Sequence, residues 1–381
     1  MFPMVRRKRS LFFERGVSHG QLRIFPMICN ICGSSRGKTF QFDFPFYRHL
    51  DFSKIADSGT IFQCDKCFGV CYSGSNEIKD IYSSDEYVEN KKTFHVAYEK
   101  PGECTTVYSL QAEYLSKEAA PNSLILDIGC FDGKLLSELR CRLNHATLYG
   151  FDVSAKNRQY ITDDIHFRHT DLSSINLQFD LIILVNVISY IEDIQGLMAN
   201  LKRLLKRTGR IYIETTNIDE DPCQILYGDL YNSYNCNLMT NLLGLYGFGF
   251  EPFQIHWAAR SLSGMAQLTN NGGTLLEDDG VVSTCLTKLN ELKEGVCKIR
   301  RKFKVLGTTL NASLVYNLTP ETVECFIEEN PSKQGGMFND LQILHPKTLV
   351  RDDLLVLPYG RASQKIKKRF EKYYPCEVLC F

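Results

Sequence analysis

The sequence lacks an excess of charge of either sign, and it lacks any long apolar run. Lysine and arginine together number 44, as do aspartate and glutamate, so the overall charge does not indicate a chain that wraps nucleic acid or coats an anionic membrane. A helix that spans a bilayer needs about 18 or more apolar residues. The longest apolar stretches, such as LIILVNVISYI at residues 181–191, are shorter and contain polar residues. We therefore expect neither a nucleic-acid partner nor a membrane-spanning segment.

The beginning of the sequence also lacks an apolar stretch long enough for a secretory signal peptide. We therefore expect the protein to stay in the reducing cytoplasm. The basic run RRKR at residues 6–9 could be a targeting or phosphate-binding patch, but a solvated tail is the simpler interpretation. We expect residues 1–26 to form a disordered leader.

The chain is long enough for more than one domain. It has 381 residues, of which 44% are hydrophobic. Single cores stop growing well before this length, and domains cluster near roughly 100–200 residues. We expect two or three domains.

Cysteine is frequent, and four of the 15 cysteines have the spacing of a metal site. Cys29 and Cys32 form one Cys-x-x-Cys pair, and Cys64 and Cys67 form a second. Two thiolates three positions apart can face one ion from a tight turn, and two such turns complete the tetrahedral sulfur shell that zinc prefers. The other interpretation is four core cysteines that fall into two pairs by chance. We interpret the scattered cysteines as buried free thiols and Cys71 as structural.

A site with four thiolates has no open coordination position, so we expect a structural zinc that holds a small domain together and does no chemistry. The segment between the two cysteine pairs, FQFDFPFYRHLDFSKIADSGTI at residues 40–61, is aromatic and has few basic residues. It indicates a small hairpin packed on a neighbouring domain rather than a zinc-dependent surface for nucleic acid.

From about residue 105 the sequence alternates between helical and strand patterns. The predicted order is helix TTVYSLQAEYLSKEA, strand SLILDIG, helix KLLSELRCRL, strand TLYGFDVS, strand FDLIILVNV, helix IQGLMANLKRLLK and strand GRIYIETTN. Strands separated by helices predict a parallel, doubly wound α/β sheet. Ligands of such sheets bind outside the carboxyl ends of the strands.

The loop LDIGCFDG at residues 126–133 follows the first strand of this sheet. Its glycines do not fit the G-x-G-x-x-G pattern of dinucleotide-binding loops, and the lysine after the second glycine is followed by leucine rather than by the Ser or Thr of a Walker loop. Glycine at both positions, Gly129 and Gly133, lets the backbone approach a ligand that a Cβ would obstruct. Further acidic residues, Asp152 and Asp171, end or follow later strands.

The pattern D-x-G-x-x-x-G from Asp127 to Gly133, with these later acidic residues, resembles the class I S-adenosylmethionine methyltransferases. The resemblance implies that Gly129 and Gly133 border the amino-acid part of the cofactor. It also implies that Asp127 and Asn186 lie near its methionine part.

The same resemblance assigns the adenosine end of the cofactor to three residues. Asp152 at a strand end would accept hydrogen bonds from both ribose hydroxyls, and Asp171 with Leu172 would frame the adenine. Another nucleotide, or an α/β domain without a ligand, is the alternative. The implied cofactor-binding residues are Asp127, Gly129, Gly133, Asp152, Asp171, Leu172 and Asn186.

The last third of the sequence again alternates strand, loop and helix, which predicts a second α/β layer. Its run ENPSKQG at residues 329–335 contains Asn-Pro and by itself predicts a turn. A terminal helix is predicted over RASQKIKKRFEKYY at residues 361–374, with a solvated basic face rather than a phosphate site.

The four-cysteine module, the methyltransferase-like core and the C-terminal domain with its N-P-x-K-Q-G run are together similar to the deoxysugar C-methyltransferase family, from about Cys29 to the end of the chain. The resemblance implies an α/β fold with a zinc-binding module at residues 27–85, a Rossmann-like methyltransferase core at 86–255 and a second Rossmann-like α/β domain at 256–381. The implied substrate is a small molecule, a nucleotide-linked 4-keto sugar that is methylated at C3.

This reaction needs a base to remove the C3 proton, after which the enolate carbon attacks the sulfonium methyl in line. The family resemblance places the catalytic residues in a Tyr-His-Glu-His segment, which aligns with Tyr227, Gly228, Asp229 and Leu230. We therefore predict Tyr227 and Asp229 as catalytic residues, whereas leucine cannot accept a proton. A second departure is Asn311, where the family tends to have lysine.

Three solutions to the missing histidine remain open. A shift of one residue would bring in Tyr231 or Tyr234, a base could come from elsewhere, such as Asp229 or His95, or a hydroxyl or amine acceptor would need only a weaker base. The competing hypothesis is a non-catalytic protein that keeps the folds as a binding or scaffold module. We interpret the other histidines considered as surface or hydrogen-bonded residues, namely His145, His166, His169 and His256.

Overall fold

The structure is a computed structural model, which describes residues 27–72, 96–100, 103–169, 171–258, 260–270 and 275–381. The predicted leader, with its RRKR run, and the candidate base His95 lie outside the described residues. No helix among the described residues has both the length and the apolar character needed to cross a bilayer.

The amino-terminal module is built from short antiparallel strands. They are β1 (Gly37–Phe42), β2 (Phe46–Tyr47), β3 (Lys54–Ala56), β4 (Gly59–Cys64) and β5 (Val70–Tyr72). β4 pairs with β1 and β5, and β2 pairs with β3. The predicted hairpin between the cysteine pairs is confirmed, and its aromatic side chains Phe42, Phe44 and Phe46 are buried.

The central domain has the alternating order that the sequence predicts. Its strands are β6 (Val96–Lys100), β7 (Glu103–Thr106), β8 (Leu124–Ile128), β9 (Thr147–Phe151), β10 (His166–Arg168), β11 (Phe179–Val185), β12 (Leu205–Thr216), β13 (Asn232–Ser233), β14 (Phe248–Phe253) and β15 (Ser261–Leu268). Its helices are α1 (Val107–Glu118), α2 (Lys134–Arg142), α3 (Ile194–Leu204) and α4 (Cys236–Leu245). β12 begins before the predicted strand because Leu205 already pairs with Phe179, ahead of an irregularity in the register.

The core sheet has seven strands in the order β10-β9-β8-β11-β12-β15-β14. The strands from β10 to β12 are parallel, and β15 is antiparallel to both β12 and β14. The chain moves outward from β8 to β10 and then crosses to β11 on the other side of β8, which makes the carboxyl ends of β8 and β11 the switch point where such sheets bind ligands. The sequence-based boundary at residue 255 falls between β14 and β15, so the sheet itself continues to Leu268.

The C-terminal domain is a second α/β layer, as predicted. Its strands are β16 (Phe303–Leu306), β17 (Val323–Ile327), β18 (Met337–Phe338), β19 (Leu341–Leu344), β20 (Leu354–Leu357) and β21 (Glu377–Cys380). Its helices are α5 (Val281–Cys297), α6 (Leu310–Leu318) and α7 (Arg361–Tyr373). The sheet order is β18-β19-β17-β16-β20-β21, parallel except for the β18–β19 hairpin.

The three parts share one continuous hydrophobic core. A single cluster of buried side chains contains Phe46 of the module, Leu226 of the central domain and Val282 of α5. β13 of the central domain also pairs with β5 of the module. Because apolar contacts cross both boundaries, the parts pack as one body around the core sheet.

Candidate functional site

A cavity of about 640 Å³ lies at the switch point of the core sheet. Residues at the carboxyl ends of β8, β9, β11 and β12 line it. The first turns of α7 add Ala362, Lys365 and Ile366, which share one helix face because they are three and four positions apart. The C-terminal domain therefore supplies part of the wall of a cavity in the central domain.

The two glycines of the loop after β8 both have left-handed backbone angles. Gly129 has a φ of 79°, and a Cβ there would lie 2.8 Å from a methyl group of Val187. Gly133 has a φ of 68°, and a Cβ there would lie 2.9 Å from the Ile161 side chain. Gly129 lines the cavity, whereas Gly133 begins α2 behind it. Both positions require glycine for the local fold, whatever ligand they border.

Asp127 is a buried carboxyl group at the end of β8 that lines the cavity. It accepts no hydrogen bond from the residues that the structure describes. Burial, followed by the charges of Asp152 and Asp132, raises the pKa of Asp127 to about 8. A cation that enters the cavity would favour the ionised form of this group.

Asp152, which follows β9, also lines the cavity and holds the glycine loop in place. Its Oδ2 accepts a hydrogen bond of 3.0 Å from the amide of Phe131, and its Oδ1 accepts one of 2.9 Å from the amide of Ser154. Phe131 has a φ of 45°, an unusual value for a residue with a side chain. Asp152 therefore holds this loop in place at the wall of the cavity.

Of the two residues predicted to frame the adenine, only one lies in the wall of the cavity. Leu172 lines the cavity, whereas Asp171 is exposed and does not. The Asp171 carboxylate caps the short 3₁₀ helix that follows it, with a bond of 2.9 Å from the amide of Ser173. Hydrogen bonds from Ser173 lower the pKa of Asp171. Five of the seven residues predicted to bind the cofactor line the cavity, namely Asp127, Gly129, Asp152, Leu172 and Asn186.

The sequence analysis missed a buried carboxylate in this cavity. Glu214 lies near the end of β12 and is 2% exposed. Its Oε2 accepts hydrogen bonds of 2.9 Å from Gln111 Nε2 and 2.7 Å from the Tyr212 hydroxyl. Burial raises the pKa of Glu214. An available signal was the one acidic residue in the otherwise apolar and neutral strand segment IYIETT.

The connection between β14 and β15 lines the cavity beside Glu214. It contributes His256, Trp257 and Arg260. His256 packs edge-on against Trp257, with ring centroids 4.9 Å apart. This part of the wall therefore adds two aromatic rings and a guanidinium group to the cavity.

The two predicted catalytic residues lie outside this cavity, against the amino-terminal module. Asp229 is buried, and its Oδ2 accepts a hydrogen bond of 2.9 Å from the backbone amide of His49. The His49 and Tyr227 rings are 4.8 Å apart. Burial raises the pKa of Tyr227. Their connection to the cavity is Tyr190, which lines it and whose ring is 5.3 Å from that of His49.

The structure thus brings a histidine next to Tyr227 and Asp229, although the sequence analysis did not single it out. His49 belongs to the module and is 180 positions away from Asp229, so no local motif links them. Leu230 is buried in the core. Neither Tyr231 nor Tyr234, the residues that a shifted alignment would bring in, lines the cavity.

A buried polar network joins the central and C-terminal domains beside the cavity. Asp221 accepts a hydrogen bond of 2.5 Å from Arg260 and one of 2.8 Å from Asn311 Nδ2. Asn311 Nδ2 also lies 2.8 Å from the carbonyl oxygen of Pro358. The Arg260 guanidinium lies 4.8 Å from the centre of the Tyr359 ring. Asn311, where the family tends to have lysine, therefore links the two domains by donating a hydrogen bond to Asp221.

The N-P-x-K-Q-G run forms a turn at the carboxyl end of β17. Asn330 Oδ1 accepts a hydrogen bond of 3.0 Å from the amide of Ser332, as asparagine does in such turns. Lys333 donates to the Thr308 hydroxyl at 3.0 Å, and the same hydroxyl donates to Glu328. The run thereby connects the loops that follow β16 and β17.

The four predicted zinc ligands converge in the module. Their sulfur atoms all lie within 4.8 Å of one another, with Cys29 to Cys67 at 3.5 Å and Cys32 to Cys64 at 3.6 Å. Tetrahedral zinc with bonds of about 2.3 Å to sulfur would separate the sulfurs by about 3.8 Å. The donor set therefore fits zinc. Cys71 is adjacent, but its thiol donates to Asn30 Oδ1 at 3.0 Å.

The central domain is similar in sequence to known proteins. Residues 105–248 match the model of a family described as "Methyltransferase domain". The ubiquinone biosynthesis O-methyltransferase of Pelagibacter ubique (strain HTCC1062) is 31% identical over 111 residues, which cover 27% of this chain and 45% of that protein. The chain thus spans less than half the length of this curated relative.

Solved structures of methyltransferases also resemble the chain in part. The plantazolicin methyltransferase BpumL, in complex with a triazolic desmethylPZN analog and SAH, has a TM-score of 0.40 and 16% identity, and the match covers 51% of this chain and 95% of that one. Human N-acetylserotonin methyltransferase in complex with SAM has a TM-score of 0.36 and 21% identity, over 43% of this chain and 51% of that one. The family match therefore extends from the end of β7 to the start of β14.

Proposed function

We propose that this protein is an S-adenosylmethionine-dependent methyltransferase that acts on a small molecule. The observation that carries the proposal is the convergence of Asp127, Gly129, Asp152, Leu172 and Asn186 on one cavity, at the switch point of a sheet whose residues match a methyltransferase domain. Gly133 and Asp171 have indirect roles in the proposal, since one begins α2 and the other caps the helix that presents Leu172.

The proposed roles follow from the charges in the cavity. S-adenosylmethionine, when bound, supplies a methyl group on a positively charged sulfur. Asp152 binds the ribose, and Leu172 packs on the adenine. Asp127 ionises next to the cationic part of the cofactor, while Gly129 leaves room for the methionine backbone.

The acceptor in this proposal is a nucleotide-linked deoxysugar or a related glycan precursor. Its support is the three-part architecture, with the four-cysteine module, the core and a C-terminal α/β domain that carries the N-P-x-K-Q-G turn. Tyr227 and Asp229 are the catalytic residues proposed for that acceptor, beside His49. O-methyl transfer is the second candidate, because Leu230 replaces the expected histidine base and the curated relative is an O-methyltransferase.

A structural zinc held by Cys29, Cys32, Cys64 and Cys67 belongs to the same proposal. The distances among the four sulfur atoms support it. In this proposal residues 27–85 form the zinc-binding module, 86–255 the methyltransferase core, with β15 completing its sheet, and 256–381 the C-terminal domain.

The test is calorimetric titration of the zinc-loaded protein with S-adenosylmethionine and with S-adenosylhomocysteine. We expect micromolar binding, and loss of at least about tenfold in affinity in Asp152→Ala, since hydrogen bonds to a charged group contribute about 1.5–3 kcal/mol. Unchanged affinity in this variant would refute the site assignment. If neither ligand binds the wild-type protein, the chain is a non-catalytic scaffold and the proposal fails.

The acceptor is tested separately, by mass spectrometry of reactions with a nucleotide-linked 4-keto deoxysugar and with 3,4-dihydroxybenzoate. Methylation of the sugar would support the first candidate, and methylation of the catechol the second. Binding of the cofactor without methylation of either would exclude both acceptor assignments and leave only the cofactor site.

A further inference from the structure

The position of Glu214 along the edge of the sheet separates it from the proposed cofactor residues. Asp152 follows β9, whereas Asp127 and Glu214 lie near the carboxyl ends of β8 and β12, and β11 lies between these two strands. Neighbouring strands are about 4.8 Å apart, which places the end of β12 about 10 Å from that of β8. If adenosine occupies the β9 side, Glu214 lies on the opposite side, where the acceptor must enter.

The environment of Glu214 suits a group that takes up a proton. Gln111 and Tyr212 both donate to its Oε2, and this fixes the carboxylate plane. Among the described residues Glu214 has no ion-pair partner. Interaction with Trp257, also in the cavity wall, favours the ionised form of Glu214, and the residue borders the cavity in which a ligand would lie.

We propose that Glu214 is a catalytic residue that receives the proton of the acceptor during methyl transfer. This inference rests on the proposed function. The bond between the methyl carbon and sulfur breaks with its electron pair going to sulfur, a bond forms between the acceptor atom and the methyl carbon, and the proton on the acceptor atom moves to the Glu214 carboxylate. The sulfonium becomes a neutral thioether.

The proposal restricts the class of acceptor. A hydroxyl, an N–H group or a C–H group next to a carbonyl has a proton to give, whereas a tertiary amine or a thioether has none. Glu214 would also supply the base that the sequence lacks at Leu230. The raised pKa of Glu214 is consistent with this role, because a general base works best with a pKa near the operating pH.

The first test compares the affinities of S-adenosylmethionine and S-adenosylhomocysteine for Glu214→Gln. Glutamine still accepts the bonds from Gln111 and Tyr212 but carries no charge. A carboxylate beside the transfer point favours the sulfonium over the neutral thioether, so at about pH 8.5 we expect the ratio of the two affinities to fall by about tenfold. Glu251→Gln, an exposed carboxylate on β14, is the matched control and should leave the ratio unchanged.

An unchanged ratio in Glu214→Gln would overturn the proposal, because a purely structural Glu214 would affect both ligands equally. If neither ligand binds the wild-type protein, the proposed function fails, and this inference with it. The two failures are therefore distinguishable by the same titrations.

The second test follows methyl transfer to the two probes, the nucleotide-linked 4-keto deoxysugar and 3,4-dihydroxybenzoate. For the probe that the wild type methylates, Glu214→Gln should lower kcat by about a hundredfold, with little change in the KM for the cofactor, and should remove the acidic limb of the pH profile. Wild-type kcat in this variant, with the acidic limb intact, would exclude a proton transfer to Glu214.

Discussion

Binding of S-adenosylmethionine should release most of one proton from Asp127. This group is buried, and its pKa is raised to about 8 in the ligand-free protein. At pH 7 about nine tenths of it is therefore protonated. An opposite charge within about 4–6 Å lowers the pKa of a carboxyl group by roughly 1–3 units, so a bound cation would bring it to about 6.

The size of the effect follows from the two pKa values. At pH 7 the bound form would be about one tenth protonated, so binding releases about 0.8 proton. The affinity should then rise by about 25-fold between pH 6 and pH 8, because less free energy is spent on ionising Asp127 at the higher pH. The affinity must rise rather than fall with pH, since the ligand binds the protein more tightly when Asp127 is deprotonated.

Calorimetry in buffers with different enthalpies of ionisation counts the released protons. Asp127→Asn has no proton to release at this position. Any proton release measured in a parallel titration of this variant therefore comes from ionisation of the ligand and can be subtracted. Asp163→Asn, an exposed carboxylate of the same domain, should behave as the wild type. Binding heats that do not depend on the buffer, with an affinity that is flat from pH 6 to pH 8, would refute the placement of Asp127 beside the cation.

The remaining predictions concern stability. Without ligand, the free energy of unfolding should fall as the pH rises from about 4 to about 8, because the folded state keeps the Asp127 proton that the unfolded chain loses. Urea unfolding measured across this pH range should show the decrease. In Asp127→Asn the decrease should be smaller. Gly129→Ala should lower the free energy of unfolding by about 1–3 kcal/mol, since it combines a left-handed backbone with a contact of 2.8 Å to Val187, and Val187→Ala in the same chain should recover part of that loss. A zinc chelator or Cys64→Ser should unfold the amino-terminal module, whereas Cys71→Ser should retain the metal in an inductively coupled plasma measurement; retention of zinc by Cys64→Ser would contradict the ligand assignment.

The parts of the fold that local patterns encode were predictable. The helices from α1 to α3 and the strands β8, β9 and β11 follow the period of their apolar residues, which depends on near neighbours alone. β15 was not assigned to the core because its place depends on antiparallel pairing with β12, about 50 residues earlier in the chain. A strand at 261–268 carries no local sign of the sheet that it joins.

The same distinction separates the site residues. Asp127 lies at the end of β8 and Gly129 directly follows that strand, so their meeting at the switch point could be predicted. His49 reaches Tyr227 only through the packing of the module on the central domain. Asp171 shows the opposite case, in which a local capping bond to Ser173 accounts for an acidic residue that the family pattern assigns to a ligand.

The origin of the cavity walls has a consequence for how the three parts cooperate. The residues proposed to hold the cofactor, such as Asp127, Asp152 and Leu172, all come from the central domain. The rest of the wall includes Lys365 of α7 and Tyr190, which contacts His49 of the module. Displacement of the module or of the C-terminal domain should therefore change the recognition of the acceptor more than the affinity for the cofactor. Four cysteine ligands leave no open coordination position for chemistry on a bound zinc. The cysteine cluster would then affect catalysis indirectly, by holding His49 against Tyr190 and Tyr227.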